Sequence, residues 1–334
     1  MVTIADVAHA AGVSISTVSY VMSGKRTISQ DTKERVERAI DALEYRPHAS
    51  ARSLASRSTN VIGLQAPLRS GVDVHVVMEI VAGIVREARV HHYDILLLTS
   101  DDAEGLHRAT GASMVDALLL MDVESDDPRI ATLRELAAPS VLVGLPRGAE
   151  ELTCVDFDFE AAGRLAAERL IALGHRRVAL LGSPREVIDR HTSYAERLTR
   201  GFLAACAEHD IPATVHQCPT THESVRVLNA VLVEHPDVTG LFIHNEGALA
   251  HVAARAATVD GLEAVALCPA DIARTVPTLI DSIDLPAEGL GRAATQAIIA
   301  LLAGESTPKV RLLPAVLASS RGASAPERAE VAVR

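Results

Sequence analysis

The chain of 334 residues has no tryptophan and only four tyrosines and four phenylalanines. No indole is available to stack on a ring-shaped ligand, so any aromatic wall must come from a few well-placed rings. The four cysteines, Cys154, Cys206, Cys218 and Cys268, stand far apart, with no C-x-x-C pair and no Cys/His spacing. That pattern indicates neither a zinc motif nor a disulfide framework, and reads as buried free thiols. No apolar run approaches the roughly 18 residues that a membrane span needs. Polar Thr3 and Asp6 stand where a signal peptide would place an apolar block, so a cytoplasmic chain is expected. There is no P-loop, no nucleophile elbow, no Gly-rich phosphate fingerprint and no metal-ligand spacing. Neither an enzyme nor a bound cofactor or metal is expected.

What the chain does have is apolar content of 48%, enough at this length for two or three domains with a sizeable core. The net charge of −11 is unevenly spread. Residues 1–60 hold eight Lys/Arg against six Asp/Glu, net +2, which leaves 24 against 37, net −13, in the remainder. A weakly basic head on an acidic body suits a small DNA reader whose body DNA repels, with affinity that falls steeply with salt.

The organising stretch is residues 3–23, TIADVAHAAGVSISTVSYVMS. Apolar or small residues at Ile4, Val7, Ala8 and Ala11 have helical spacing; Gly12 interrupts, and Val18, Val21 and Met22 resume it. Thr3 with Asp6, and then Ser14, supply start signals, and Gly12 a left-handed stop. Two helices across a tight turn make a helix-turn-helix, whose second helix enters the DNA major groove. Ser29 is placed to cap a third helix carrying Val36, Ala39, Ile40 and Leu43. From Val61 on, short apolar runs (VIGLQA, DILLLTS, DALLLM, SVLVG, VALLG, GLFIH, AVALC) alternate with stretches of helical period. Continuous apolar strands imply sheets covered on both faces.

The order of these features resembles the lactose-repressor (LacI/GalR) family. The residues that carry the resemblance are TIADVAHAAGVSISTVS, the YRP turn, the hinge pattern ARSLA, and Gly174-His175-Arg176-Arg177 ahead of VALLG. It spans nearly the whole chain and is strongest to about Gly63. The fold class it implies is α/β: an N-terminal all-α helix-turn-helix head plus a periplasmic-binding-protein-like body of two doubly wound parallel-sheet subdomains. The expected divisions are a head at 1–46, a hinge helix and linker at 47–59, and an effector-binding and dimerisation body at 60–320. Within the body, one subdomain takes about 60–157 and 286–313, the other about 158–285 and 314–320. The Ala-rich, charged tail at 321–334 is expected to be disordered.

Family-equivalent positions put Ile15, Ser16 and Tyr20 at base edges. Thr3, Ser14, Thr17, Ser19, Ser23, Lys25 and Arg26 fall at phosphates. The chemistry is compatible, with an isoleucine for a thymine methyl and hydroxyls that donate or accept, but the bidentate arginine that reads guanine is missing. A hinge of this length is not helical alone. In the family two hinges fold together in the minor groove, so Ala51 and Arg52 would lie there and Leu54 would wedge between base pairs.

An effector crevice is expected between the lobes at the carboxyl ends of strands. The candidates are Asp101, Phe157, Asp158, His191, Tyr194, Arg197, Asn245, Glu246 and Asp271, with Asp156 beside the first crossing. Several positions depart from the family. Leu198 holds the place of an arginine three residues before the Gly-Phe pair. Asn245-Glu246 replaces Asn-Asp, Asp158-Phe159 replaces Asp-Asn, and Cys268-Pro269-Ala270-Asp271 keeps one carboxylate of a turn that usually has two. The implied function is a homodimeric repressor that binds a near-palindromic double-stranded operator to control a carbohydrate-related operon, with a small-molecule effector that could be a sugar. Other readings stay open: an activator, a corepressor-dependent regulator with a non-sugar effector, or a ligand-binding sensor or transport protein.

Overall fold

The computed structural model describes residues 2–23, 26–45, 58–66, 68–100 and 102–319. Lys25, the hinge residues Ala51, Arg52 and Leu54, the crevice candidate Asp101, the tail 321–334 and the side chain of Ser23 lie outside the described residues. The described chain divides into two units, residues 1–60 and 61–334.

The head has three helices, α1 (Ile4–Ala11), α2 (Ile15–Ser23) and α3 (Gln30–Ala42). A capping box opens α1: the Thr3 hydroxyl accepts the Asp6 N–H, and the Asp6 carboxylate accepts the Thr3 N–H at 2.8 Å. Gly12 ends it in the left-handed region, φ 65°. Ser14 Oγ accepts the Thr17 N–H at 3.2 Å and starts α2. Ser29 departs from expectation. It holds the cap position of α3, but its hydroxyl donates to the Thr32 hydroxyl at 2.8 Å and no backbone N–H of that helix is capped by a side chain. Helices this short are marginal alone, and they are held by a shared core of Val7, Ala8, Ala11, Val18, Val36, Ala39 and Tyr45.

The body begins with β1 (Val61–Gln65), α4 (Val74–Val90), β2 (Asp94–Leu98), α5 (Ala103–Gly111), β3 (Ala117–Leu120), α6 (Arg129–Glu135), β4 (Ser140–Val143) and β5 (Thr153–Phe157). It continues through α7 (Phe159–Ala172), β6 (Val178–Gly182), α8 (Arg185–Asp189), α9 (Ser193–Glu208), β7 (Ala213–Gln217), α10 (Ser224–Glu234) and β8 (Gly240–Ile243). Then come α11 (Glu246–Ala256), β9 (Glu263–Cys268), α12 (Ala270–Thr275), β10 (Asp281–Asp284), α13 (Ala287–Leu302), β11 (Val310–Leu313) and β12 (Leu317–Ser319). Two six-stranded sheets result, ordered β2-β1-β3-β4-β5-β11 and β7-β6-β8-β9-β10-β12. Each repeats the doubly wound order in which the first strand lies between the second and third, which creates a switch point beside it. The chain passes from the first sheet to the second after Phe157, returns after Asp284, and crosses again after Leu313.

One strand differs from the all-parallel expectation: β12 runs antiparallel to β10, whereas every other pair is parallel. A parallel return needs a crossover helix, and only residues 314–316 separate β11 from β12. Each lobe is covered by a pair of helices in close contact. A Cβ on Gly291 of α13 would sit 2.0 Å from the Ile80 carbonyl oxygen of α4, and one on Gly201 of α9 would sit 2.0 Å from that of Glu160 in α7. Only glycine lets these backbones approach so closely. All four cysteines are buried and unpaired, and burial pushes the Cys154 and Cys268 thiols up to about 12, as expected of inert core thiols. Among the described residues no helix is long and apolar enough to cross a membrane.

Candidate functional site

In the head, α2 turns Val18 inward while leaving Ile15 51% and Tyr20 37% exposed, with Ser16 exposed beside them. Ile15 lies outside the head's core cluster. The Ser14 hydroxyl shares hydrogen bonds with Ser16 at 2.8 Å and Thr17 at 2.9 Å. The Arg26 guanidinium lies 5.5 Å from the centre of the Tyr20 ring, a cation–π distance. Thr17 and Ser19 are half-buried along the same helix. The Thr3 hydroxyl donates to the Asp6 carboxylate at 2.8 Å, so it already has an intramolecular role.

In the body, a cleft of about 1000 Å³, part of it open to solvent, lies between the lobes. Its walls form where strands end: Ala66 after β1, Asp122 after β3, Gly144 after β4, Ser183 after β6, His244 to Glu246 after β8, and Leu285 after β10. Val76, Val77 and Ile80 of α4 supply an apolar face, and Phe159 and Tyr194 a wall of rings 5.3 Å apart. His244 stacks edge-on to Tyr194 at 5.8 Å, and burial lowers it to about 4, so it is neutral at pH 7.

Four carboxylates reach the cleft, each in a different environment. Asp73 caps α4, accepting the His75 and Val76 N–H groups at 2.9 and 3.3 Å. Asp122, in the left-handed region at φ 51°, lies 3.2 Å from Arg69; burial raises it more than its arginines lower it. Asp156 accepts from Arg197 Nη1 at 2.5 Å, and burial still raises it, to about 6. Glu246 opens α11, and burial raises it to about 7 against the lowering effect of a hydrogen bond from its own backbone. It is partly open to the cavity while enclosed by protein around it. The loop that aims Asp122 is fixed by buried Arg129, which donates to Asp127 at 2.7 and 2.9 Å and to Gln65 at 2.8 Å.

Of the sequence-derived candidates, Asp156, Tyr194, Asn245 and Glu246 line this cleft. Asn245 is there as a cap: its Oδ1 accepts the Ala248 N–H at 3.2 Å and its Nδ2 donates to the Cys218 carbonyl at 2.5 Å. Phe157 does not line it, because alternation on β5 turns its ring into the core, fully buried. Asp158 is the N-cap of α7, accepting from Ala161, and opens instead onto a second groove that Arg197 also lines. Arg197 is one step along α9 from the family's arginine place, a rotation of about 100° on a helix, which aims it at Asp156 while Leu198 enters the core. His191 is 75% exposed and pairs with Glu196 at 3.0 Å; its carbonyl accepts the Ser125 N–H across the lobes. Asp271 stands outside the cleft lining, 3.7 Å from His75 of the other lobe. Asp122 and Ser183 went unnoticed in the sequence; each directly follows an apolar run, a place where cleft residues collect.

Residues 3–48 match the family described as bacterial regulatory proteins, lacI family, and residues 68–319 match periplasmic binding proteins and sugar binding domain of LacI family. The chain belongs to the LacI family. Among curated LacI-family relatives, the HTH-type transcriptional regulator CelR of Thermobifida fusca is 30% identical over 334 residues, covering 93% of this chain and 95% of the relative. The regulator RafR of Escherichia coli is 34% identical over 216 residues, 61% of each chain. A solved CelR–cellobiose complex superposes with TM-score 0.66 at 27% identity, covering 96% of this chain and 100% of that one. The Lac repressor dimer bound to operator and the anti-inducer ONPF gives TM-score 0.77 at 23% identity over 95% and 97%, which bears on the fold alone. This is a LacI-family transcriptional regulator.

Proposed function

We propose that the chain is a dimeric cytoplasmic repressor, without catalytic activity, which holds a near-palindromic operator and releases it when a neutral carbohydrate occupies the cleft. The observation that carries the ligand class is the character of the cleft. Asp73, Asp122, Asp156 and Glu246 reach it, and no lysine or arginine is among its described lining residues. Sugar hydroxyls donate to carboxylates, while their C–H faces pack on Val76, Ile80 and the Phe159–Tyr194 rings. A phosphate or a second carboxylate would enter facing these carboxylates with no lysine or arginine among the described lining residues to offset them. The cellobiose held by the related CelR structure supports the same class.

In the head, Ile15, Ser16 and Tyr20 read bases, and Thr17, Ser19, Lys25 and Arg26 hold phosphates. Leu54 is the minor-groove wedge of a hinge at 47–59. Effector binding changes the lobe arrangement through its differential affinity for two states, and the crossings after Phe157, Asp284 and Leu313 carry that change.

A thermal-shift series with cellobiose, maltose, raffinose and glucose 6-phosphate tests the ligand class. At a hundred times its dissociation constant a ligand adds about 2.7 kcal/mol, a rise of roughly 5 °C in this size range. A neutral sugar should give that rise and the sugar phosphate none; a hit with the phosphate alone overturns the reading.

A further inference from the structure

Sequence reading finds no metal-ligand spacing, yet the fold brings three donor side chains together at one place. We infer that His75, Glu79 and Asp271 form a divalent-cation site, suited to zinc, that ties the two lobes together beside the cleft. His75 and Glu79 are one turn apart on α4 and so share a face. Asp271 comes from the first turn of α12 on the other lobe. His75 Nε2 lies 3.8 Å from the Glu79 carboxylate and 3.7 Å from that of Asp271, and the three donor atoms fall within 4.8 Å of one another.

Those separations are too long for hydrogen bonds, so the three groups converge without bonding to each other. They match a shared ligand instead. Zinc held at ~2.0–2.2 Å by nitrogen and oxygen in a tetrahedron spaces its donors by ~3.3–3.5 Å, within reach of small side-chain adjustments. One imidazole and two carboxylates favour zinc over magnesium or calcium, which prefer oxygen-only shells. A water would complete the fourth position.

The charge around the trio points the same way. The donor oxygens of Glu79 and Asp271 lie within 4.8 Å of each other, so two carboxylates face one imidazole. The arginines nearby, Arg86 and Arg292, are engaged by Glu288. Among the described residues His75 is the ion-pair partner of both Glu79 and Asp271, and it is exposed. A bound dication neutralises this surplus. Because its ligands come from both lobes, it stabilises this lobe arrangement, and by linkage it strengthens any cleft ligand that prefers the same arrangement.

The test uses the full chain, stripped with a chelator and titrated with zinc ion in competition with a chromogenic chelator, in the absence of DNA and sugar. One zinc per chain at micromolar affinity or tighter is expected. His75→Ala and Asp271→Asn should each weaken it by more than about tenfold. His91→Ala, which removes the ring paired with Glu87 further along α4, should leave it unchanged. Hydrogen exchange with and without zinc should show protection of residues 74–80 and 270–275 together. Zinc binding that survives both substitutions, no zinc uptake at all, or protection confined to α4 overturns the proposal, whatever the sugar series gives.

Discussion

Replacing Asn245 with alanine should cost stability before it costs ligand, because both ends of its amide are already engaged. Its Oδ1 caps α11 through the Ala248 N–H, and its Nδ2 donates to the carbonyl of fully buried Cys218, tying the end of β8 to the segment after β7. Loss of an N-cap costs about 1 kcal/mol. A buried carbonyl left without its donor costs about 1–3 kcal/mol more. Together these predict a loss of about 2–4 kcal/mol. Urea unfolding of the full chain, followed by helical circular dichroism, should show a lower midpoint at an unchanged slope. Asn245→Ser, which keeps a cap acceptor and loses the amide donor, should fall between. An alanine variant within about 0.5 kcal/mol of the parent that has lost its sugar response would return Asn245 to the ligand and refute the capping argument.

Gly201→Ala places a methyl 2.0 Å from the Glu160 carbonyl oxygen, so α7 and α9 must separate; a loss of about 1–3 kcal/mol is expected from overpacking, and an unchanged unfolding midpoint would contradict the close approach. Glu246 titrates near 7 in the folded chain against an ordinary 4.5, so its contribution to stability is full below about 4.5 and is lost as pH rises through 7. Glu246→Gln should flatten that part of the stability–pH curve, and parallel curves for the two proteins would show that the carboxyl is not buried. Tyr20→Ala should change which operator bases are tolerated, each base contact being worth about 1–3 kcal/mol; an unchanged preference in a binding-site selection would move the reading face elsewhere. A fragment of residues 1–59 should bind operator far more weakly than the full chain, because it lacks the dimer that raises the effective concentration of its second hinge; equal affinity would remove the body from DNA binding.

The features legible in the sequence are those decided within three or four residues. Thr3 and Asp6 are close enough to cap each other, Gly12 reverses the chain by its own backbone freedom, and the spacing of Val7, Ala11 and Val18 selects the buried face of the head. Apolar runs such as VIGLQ and EAVALC likewise become buried strands, whereas DILLL, at the edge of its sheet, stays partly exposed. Side-chain direction at the cleft was not legible, because it depends on what packs from elsewhere. Arg197 and Leu198 are neighbours, yet the helix sends one to Asp156 and the other into the core. Asn245 stands at a strand end, as a ligand residue would, and is claimed by the next helix as its cap. Phe157 follows strand alternation inward, and His191 faces solvent at a contact between lobes. The meeting of His75 and Glu79 with Asp271 has no trace in local spacing, since it exists only once two separately wound sheets are set side by side. Hydrogen bonds along a helix or strand fix its type from nearby residues, whereas the lobe-to-lobe arrangement is fixed by packing between residues far apart in the chain, and that arrangement decides which charges face one another.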